Sequence, residues 1–256
     1  MLKLKYKLSK GGEFMRLSCE YKTSKLPVAN KMMFVSLIKE ALTTSNETYY
    51  KELYYYEDKK NKATKNFTFS IFMKDFKLDG DFFQIGEKII FNISTPDYEF
   101  GINLYNGLLK INHFIYKEFE LSKVKITLVK EKSIIERVVT FKTLSPIFIK
   151  NKENVSLTPL DEDYLKELNY ISDTILKSYR EYGLKEELDF KVINMKKTVV
   201  KEEITDFTNI AGSKYLYVNG YSGIFMLYGD IEDLRDLYML GLGFKRNQGF
   251  GMIEVL

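Results

Sequence analysis

Gly241-Leu242-Gly243-Phe244-Lys245-Arg246-Asn247-Gln248-Gly249-Phe250-Gly251-Met252-Ile253-Glu254-Val255-Leu256 closes the chain. Four glycines, Gly241, Gly243, Gly249 and Gly251, bracket four polar residues, and Met252 to Leu256 reads as a strand. Glycine admits positive φ and lets a second backbone come close. Successive N–H groups in such a loop can face one concavity and hold a phosphate. Lys245 and Arg246 would add charge-assisted hydrogen bonds to it. The plainer reading is a helix C-cap followed by a tight turn. Direction separates this loop from the familiar nucleotide motifs. A dinucleotide fingerprint runs from strand to helix and needs a third glycine where Arg246 stands, and no Gly-Lys-Ser/Thr of a P-loop is present.

Working back from the loop, Asp230 to Leu240 is a capped helix with Leu234 and Leu237 facing inward. Leu188–Lys201 and Lys214–Tyr228 alternate as strands. Thr158-Pro159-Leu160-Asp161 has the form of a helix start, with Thr158 as N-cap and Asp161 at the capping-box position. That helix is expected to run to about Tyr182. Ile147–Lys150 is expected to be the strand before it. From residue 146 onward the order is therefore β-α-β-β-α-β.

The N-terminal half repeats the order. Phe14–Lys22 has strand period, and Leu26-Pro27 breaks it. Asn30–Leu42 places Phe34, Leu37, Ile38, Ala41 and Leu42 on one helical face. Glu47–Tyr56 is expected to be a second helix, rich in tyrosine. Strands are expected over Asn66–Met73 and Lys88–Ser94, a helix over Asp97–Lys110 and a strand over Ile111–Leu121. Val124–Lys130 and Arg137–Leu144 are expected to pair with each other. The fold class is α+β, two tandem ferredoxin-like (RRM-like) domains of β-α-β-β-α-β order, over residues 15–121 and 122–256. Sheets of this kind, or the cleft between two of them, can hold single-stranded RNA.

A 45% hydrophobic and 15% aromatic content gives ample material for a core. Residues 1–14 carry +3 of the +4 net charge and read as a leader or an artificial extension, because Met15-Arg16-Leu17 resembles a natural start. An RNA surface must then be a local patch, not a global field. No 18-residue apolar run is present, so no membrane helix is expected. One cysteine, Cys19, excludes an internal disulfide framework and fits a reducing cytoplasm. With His113 as the single histidine, no metal site and no cofactor are expected.

Five stretches, in order, carry a resemblance. They are Leu26-Pro27, Phe67-Thr68-Phe69-Ser70, Thr143-Leu144-Ser145-Pro146-Ile147, Leu157-Thr158-Pro159, and the glycine-rich end from Gly241 to Met252. Together they resemble the CRISPR-associated repeat-processing endoribonucleases of the RAMP superfamily, over residues 15–256. The resemblance implies an enzyme that binds the repeat of a CRISPR transcript, single-stranded or as a stem-loop. It would cut the repeat without metal by attack of a 2′-hydroxyl on the adjacent phosphate, leaving a 2′,3′-cyclic phosphate and a 5′-hydroxyl. It also implies a monomer or homodimer, with subunits of a CRISPR effector complex as further partners.

Such chemistry needs a base on the 2′-hydroxyl, positive charge at the phosphorane and an acid at the leaving oxygen. The family's usual histidine is absent here, and His113 lies elsewhere, at the start of a strand. Matched by flanking motifs, the family pattern implies Lys39, Tyr54 (or a neighbour such as Tyr50) and Lys65 as the catalytic set. Tyrosine, with a pKa near 10, is a poor base at neutral pH, and two nearby lysines are expected to lower that value. Alternatively Tyr54 only orients the hydroxyl and the lysines supply the rate. The tyrosine cluster is equally open to packing or base stacking. RNA contacts are expected from Gly241, Gly243, Lys245, Arg246, Asn247, Gln248, Gly249 and Gly251, and from Lys59, Lys60 and Lys62 in the basic stretch 59–65. Two other readings remain: a repeat-RNA-binding protein that cuts poorly, and a structural RAMP subunit of an effector complex.

Overall fold

A computed structural model describes residues 15–56, 59–60, 64–203 and 215–256. The leader reading of 1–14, and Lys62, lie outside the described residues. The first unit comprises β1 (Met15–Lys22), β2 (Lys25–Pro27), α1 (Lys31–Ser45), α2 (Glu47–Tyr54), β3 (Tyr55–Tyr56), β4 (Lys59–Lys60), β5 (Thr68–Asp79), β6 (Phe82–Thr95), α3 (Tyr98–Lys110), β7 (His113–Tyr116) and β8 (Phe119–Val129). The second comprises β9 (Val138–Thr143), α4 (Tyr164–Arg180), β10 (Asp189–Glu203), β11 (Tyr215–Tyr228), α5 (Ile231–Leu240), a 3-10 turn (Arg246–Gln248) and β12 (Ile253–Val255).

In the first sheet β6 and β8 flank β1, β5 pairs with β6, and β7 pairs with β8. In the second the order is β10-β11-β9-β12. Both are the ferredoxin-like arrangement, in which the two outer strands of each half flank a central antiparallel pair. The inward faces of β1, β5 and β6 supply Leu17, Cys19, Phe69, Phe91 and Ile93, which bury against Phe34, Leu37 and Ile38 of α1 and Leu104 and Leu108 of α3. The helices sit close because of a glycine. A Cβ on Gly107 of α3 would stand 1.8 Å from the Ala41 carbonyl oxygen of α1. The second core joins Phe141, Phe225 and Leu227 of the sheet to Leu168 and Ile175 of α4 and Leu234 and Leu237 of α5.

Several expected elements differ. The strand expected over Ile111–Leu121 is a hairpin, β7 turning into β8, and β8 runs on through Val124 to Val129, paired with β1. The first sheet thus extends past residue 121, and β8 does not pair with β9; β9 pairs with β11 and β12. β9, not Ile147–Lys150, is the first strand of the second sheet. Ile147 and Lys150 make isolated bridges, to Tyr221 and Ser156. The Thr158 signal forms a turn before it forms a helix. The Thr158 N–H donates to Asp161 Oδ2 at 2.7 Å, and α4 begins only at Tyr164. α2 stops at Tyr54, and Tyr55–Tyr56 turns extended to pair with Lys59–Lys60. Finally, β5 and β6 run well past the expected ends: a register shift between Lys74 and Phe76 breaks the phase of the apolar alternation, and Phe76 and Leu78 beyond it face solvent.

The two sheets meet at the end of the chain. Thr68 of β5 donates to the Phe250 carbonyl at 2.9 Å. The buried Arg16 of β1 donates to the Ile253 carbonyl at 3.0 Å and lies 4.4 Å over the Tyr238 ring. The glycine-rich loop therefore sits between the halves.

Candidate active site

Lys39, Tyr54 and Lys65 come together. α1 carries Lys39 on its half-buried edge. Asn46 caps α2 by accepting from the Tyr49 N–H at 3.0 Å, and this short helix delivers Tyr54 at its last position. Lys65 stands just before β5 and is only 6% exposed. Lys39 Nζ lies 5.2 Å and Lys65 Nζ 5.5 Å from the centre of the Tyr54 ring. Tyr50, one turn back, packs on Tyr54 with ring centres 5.1 Å apart.

The electrostatics correct one expectation. Burial pushes the Tyr54 hydroxyl well above the ordinary tyrosine value, and neighbouring Tyr50 pushes the same way. Desolvation disfavours the phenolate, so Tyr54 stays protonated at neutral pH, contrary to the lowering expected from the lysines. Burial also lowers the Lys65 ammonium. His113 is exposed on β7, its Nδ1 3.1 Å from Glu120 Oε1, outside the tyrosine–lysine cluster.

The glycine loop has a different form from an open phosphate cradle. Gly241, Gly243, Gly249 and Gly251 all have positive φ. The N–H groups of Gly241, Leu242, Phe244, Gln248, Gly249 and Gly251 donate to backbone carbonyls. Arg246 is buried and donates to the Leu240 carbonyl at 2.5 Å; burial lowers its guanidinium to about 9. The Asn247 carboxamide donates to the carbonyls of Lys65 (2.8 Å) and Phe67 (2.6 Å) and accepts from the Lys65 N–H (3.0 Å). Of the four loop side chains expected to meet RNA, Arg246 and Asn247 thus face the protein. Lys245 pairs with Glu202 at 2.5 Å and reaches Gln248 Oε1 at 3.3 Å, and Gln248 is exposed. The glycines are required by close approach: a Cβ on Gly251 would stand 1.9 Å from the Leu242 carbonyl oxygen, and one on Gly249 2.7 Å from the Phe69 ring.

Sequence reading missed Lys31. At the start of α1, its ammonium donates to the Gly249 carbonyl and lies 4.1 Å over the Phe250 ring. Burial pushes it down to about 7, against the pull of Glu202 and with the help of Lys245. A lysine at the polar edge of a helix start gives no signal of such a contact. Beside the loop is a cleft of about 360 Å³, lined by Thr64, by Ile171, Thr174 and Ile175 of α4, and by Gly243 to Gln248. A larger groove, about 720 Å³, on the outer face of α4 shares no residue with either feature. Among the described residues no cluster of three or more His, Cys, Asp or Glu is placed to hold a metal, and no helix is long and apolar enough to cross a membrane.

The site thus sits in two ferredoxin-like units joined through a glycine-rich loop, with a lysine–tyrosine cluster beside it. Residues 129–255 match the family model described as CRISPR associated protein Cas6, C-terminal. The chain is 25% identical over 258 residues to the CRISPR-associated endoribonuclease Cas6 1 of Methanocaldococcus jannaschii, covering 94% of this chain and 92% of that one. Its fold matches a Cas6-related protein of Pyrococcus furiosus with a TM-score of 0.78 at 22% identity, covering 95% and 98% of the two chains. It also matches a RAMP protein described as binding different RNA substrates, with a TM-score of 0.76 at 21% identity, covering 94% and 99%. Residues 129–255 thus carry the match to the Cas6 C-terminal family, and nearly the whole chain is similar to Cas6 proteins in sequence and in fold.

Proposed function

We propose that this chain is a metal-independent endoribonuclease that binds CRISPR repeat RNA and cuts it by 2′-hydroxyl attack to release guide RNA. The observation that carries the reading is the convergence of Lys39 and Lys65 on Tyr54. The relative named an endoribonuclease, matched over nearly the whole chain, supports RNA cleavage. Tyr54, protonated, orients the 2′-hydroxyl, whose proton passes to solvent hydroxide as the O2′–P bond forms. The ammonium groups of Lys39 and Lys65 stabilise the phosphorane, a task for which preformed charge in a poorly hydrated site is effective. Lys65, with its lowered ammonium, protonates the leaving O5′ as the P–O5′ bond breaks. Lys245 and Gln248 at the loop surface, and the lysine-rich stretch 59–65 that follows Tyr54 in sequence, serve as RNA contacts. The buried thiol of Cys19, pushed up to about 12 by desolvation, is inert and compatible with work in the cytoplasm.

One observation favours a second reading, a repeat-binding protein that cuts slowly: the protonated Tyr54 supplies no strong base. End-group analysis after incubation with the cognate repeat separates the two. A single cut with a 2′,3′-cyclic phosphate supports the nuclease. Tight binding of intact RNA over a full day supports the binder.

A further inference from the structure

We propose that Asn247 is a positioning residue for cleavage, holding the backbone that carries Lys65; this rests on the site assignment above. A carboxamide offers two donors and an acceptor, and here all of them meet one short segment: the Lys65 N–H and carbonyl and the Phe67 carbonyl, at 2.6–3.0 Å. Asn247 thereby acts as a strand partner for residues that lead into β5. It fixes the peptide units on both sides of Lys65, and so fixes where the ammonium stands relative to Tyr54.

The rest of the loop seats this clamp. A Cβ on Gly241 would stand 2.9 Å from Thr68 Cβ, and one on Gly249 2.7 Å from Phe69 Cε2, so the loop lies flush on β5 just beyond Lys65. Arg246 holds the loop from below through the Leu240 carbonyl. The three reacting side chains all come from the N-terminal half, while the group that places one of them comes from the C-terminal half. Cleavage then depends on the two halves being docked. Displacing a catalytic group by about 1 Å can cost on the order of 100-fold in rate.

The test is single-turnover cleavage of the cognate repeat at saturating protein, with the dissociation constant measured in parallel and the pH–rate profile recorded. Asn247→Ala is expected to slow cleavage roughly 30- to 100-fold, to change affinity less than about 3-fold, and to move the high-pH limb of the profile upward, because a loosened Lys65 meets more water. Asn247→Asp keeps the volume and the acceptor but loses both donors, and is expected to behave alike; it carries the comparison if Asn247→Ala melts below the assay temperature. A wild-type rate and unmoved limb in the Asn247 variants, with Lys65→Ala inactive, overturns the positioning role alone. A wild-type rate in Lys65→Ala overturns the site assignment and the positioning role with it.

Discussion

Lys65 Nζ stands 5.5 Å from the centre of the Tyr54 ring, and both groups are pushed by burial toward their neutral forms. That shared environment ranks their contributions. A hydroxyl that stays protonated contributes a hydrogen bond, whereas an ammonium contributes charge to the phosphorane and a proton to the leaving group. Tyr54→Phe should therefore slow cleavage about 10-fold, and Lys65→Ala on the order of 100- to 1,000-fold. Single-turnover rates with the cognate repeat measure both. A larger loss in Tyr54→Phe than in Lys65→Ala would assign the proton transfer to the tyrosine.

The pH–rate profile follows from the same two shifts. Attack assisted by hydroxide makes the rate climb with pH, with no inflection near the ordinary histidine value of about 6.5. Lys65 loses its proton at a pH below the usual lysine value of about 10.4, and the rate should fall as it does so. His113→Ala should leave the whole profile unchanged, because that ring lies exposed on the β7–β8 hairpin. Rates from pH 5.5 to 10 check this.

Lys31 makes a stability prediction. Its folded value of about 7 lies below its unfolded value, so between the two the unfolded chain binds more protons. Stability should therefore rise with pH from about 7 toward the unfolded value of about 10.4, with a slope no steeper than about 1.4 kcal/mol per pH unit. Below about pH 7 this contribution is flat. Lys31→Met should remove the slope. Denaturant unfolding of both proteins at pH 6.5 and 9 reads the difference.

Arg180 ties α4 to α5. It donates to the Asp233 carboxylate, which has no solvent exposure, and to Asp236 at 2.6 Å. Asp233 also accepts from the Lys185 N–H at 2.8 Å. Removing the guanidinium strands a buried carboxylate, which typically costs about 3–5 kcal/mol. Arg180→Ala should lose about that much in urea unfolding while Lys51→Ala, which breaks an exposed pair with Glu47, should lose less than about 1 kcal/mol.

Much of the fold was readable from spacing alone. Asp97 and Asp230 cap α3 and α5 through their side chains, as their positions before apolar helical runs imply. The β-α-β-β-α-β order of the first half follows from apolar spacing, and that of the second half holds with β9 in place of Ile147–Lys150 as its first strand. The errors share a cause. Where a bulge shifts the phase of a strand, as in β5 between Lys74 and Phe76, a single alternation no longer runs through although pairing continues. Where a capping signal satisfies a turn, as at Thr158, the helix starts later. In the site, family pattern pointed to Lys39, Tyr54 and Lys65, and the fold gathers them. Residue type could not reveal which way the loop side chains face. Asn247 and Arg246 look like RNA ligands in the sequence, yet Arg246 donates to the Leu240 carbonyl six residues back, and Asn247 bonds the Lys65 backbone, a match that depends on register between segments 182 residues apart.

The most direct test is cleavage of the cognate repeat RNA in excess EDTA by the wild-type protein and by Lys65→Ala, with binding of each measured by titration. The lysine–tyrosine site predicts one discrete cut ending in a 2′,3′-cyclic phosphate in the wild type, and a loss of at least about 100-fold in Lys65→Ala at similar affinity. Cleavage abolished by EDTA, or undiminished in Lys65→Ala, would contradict it.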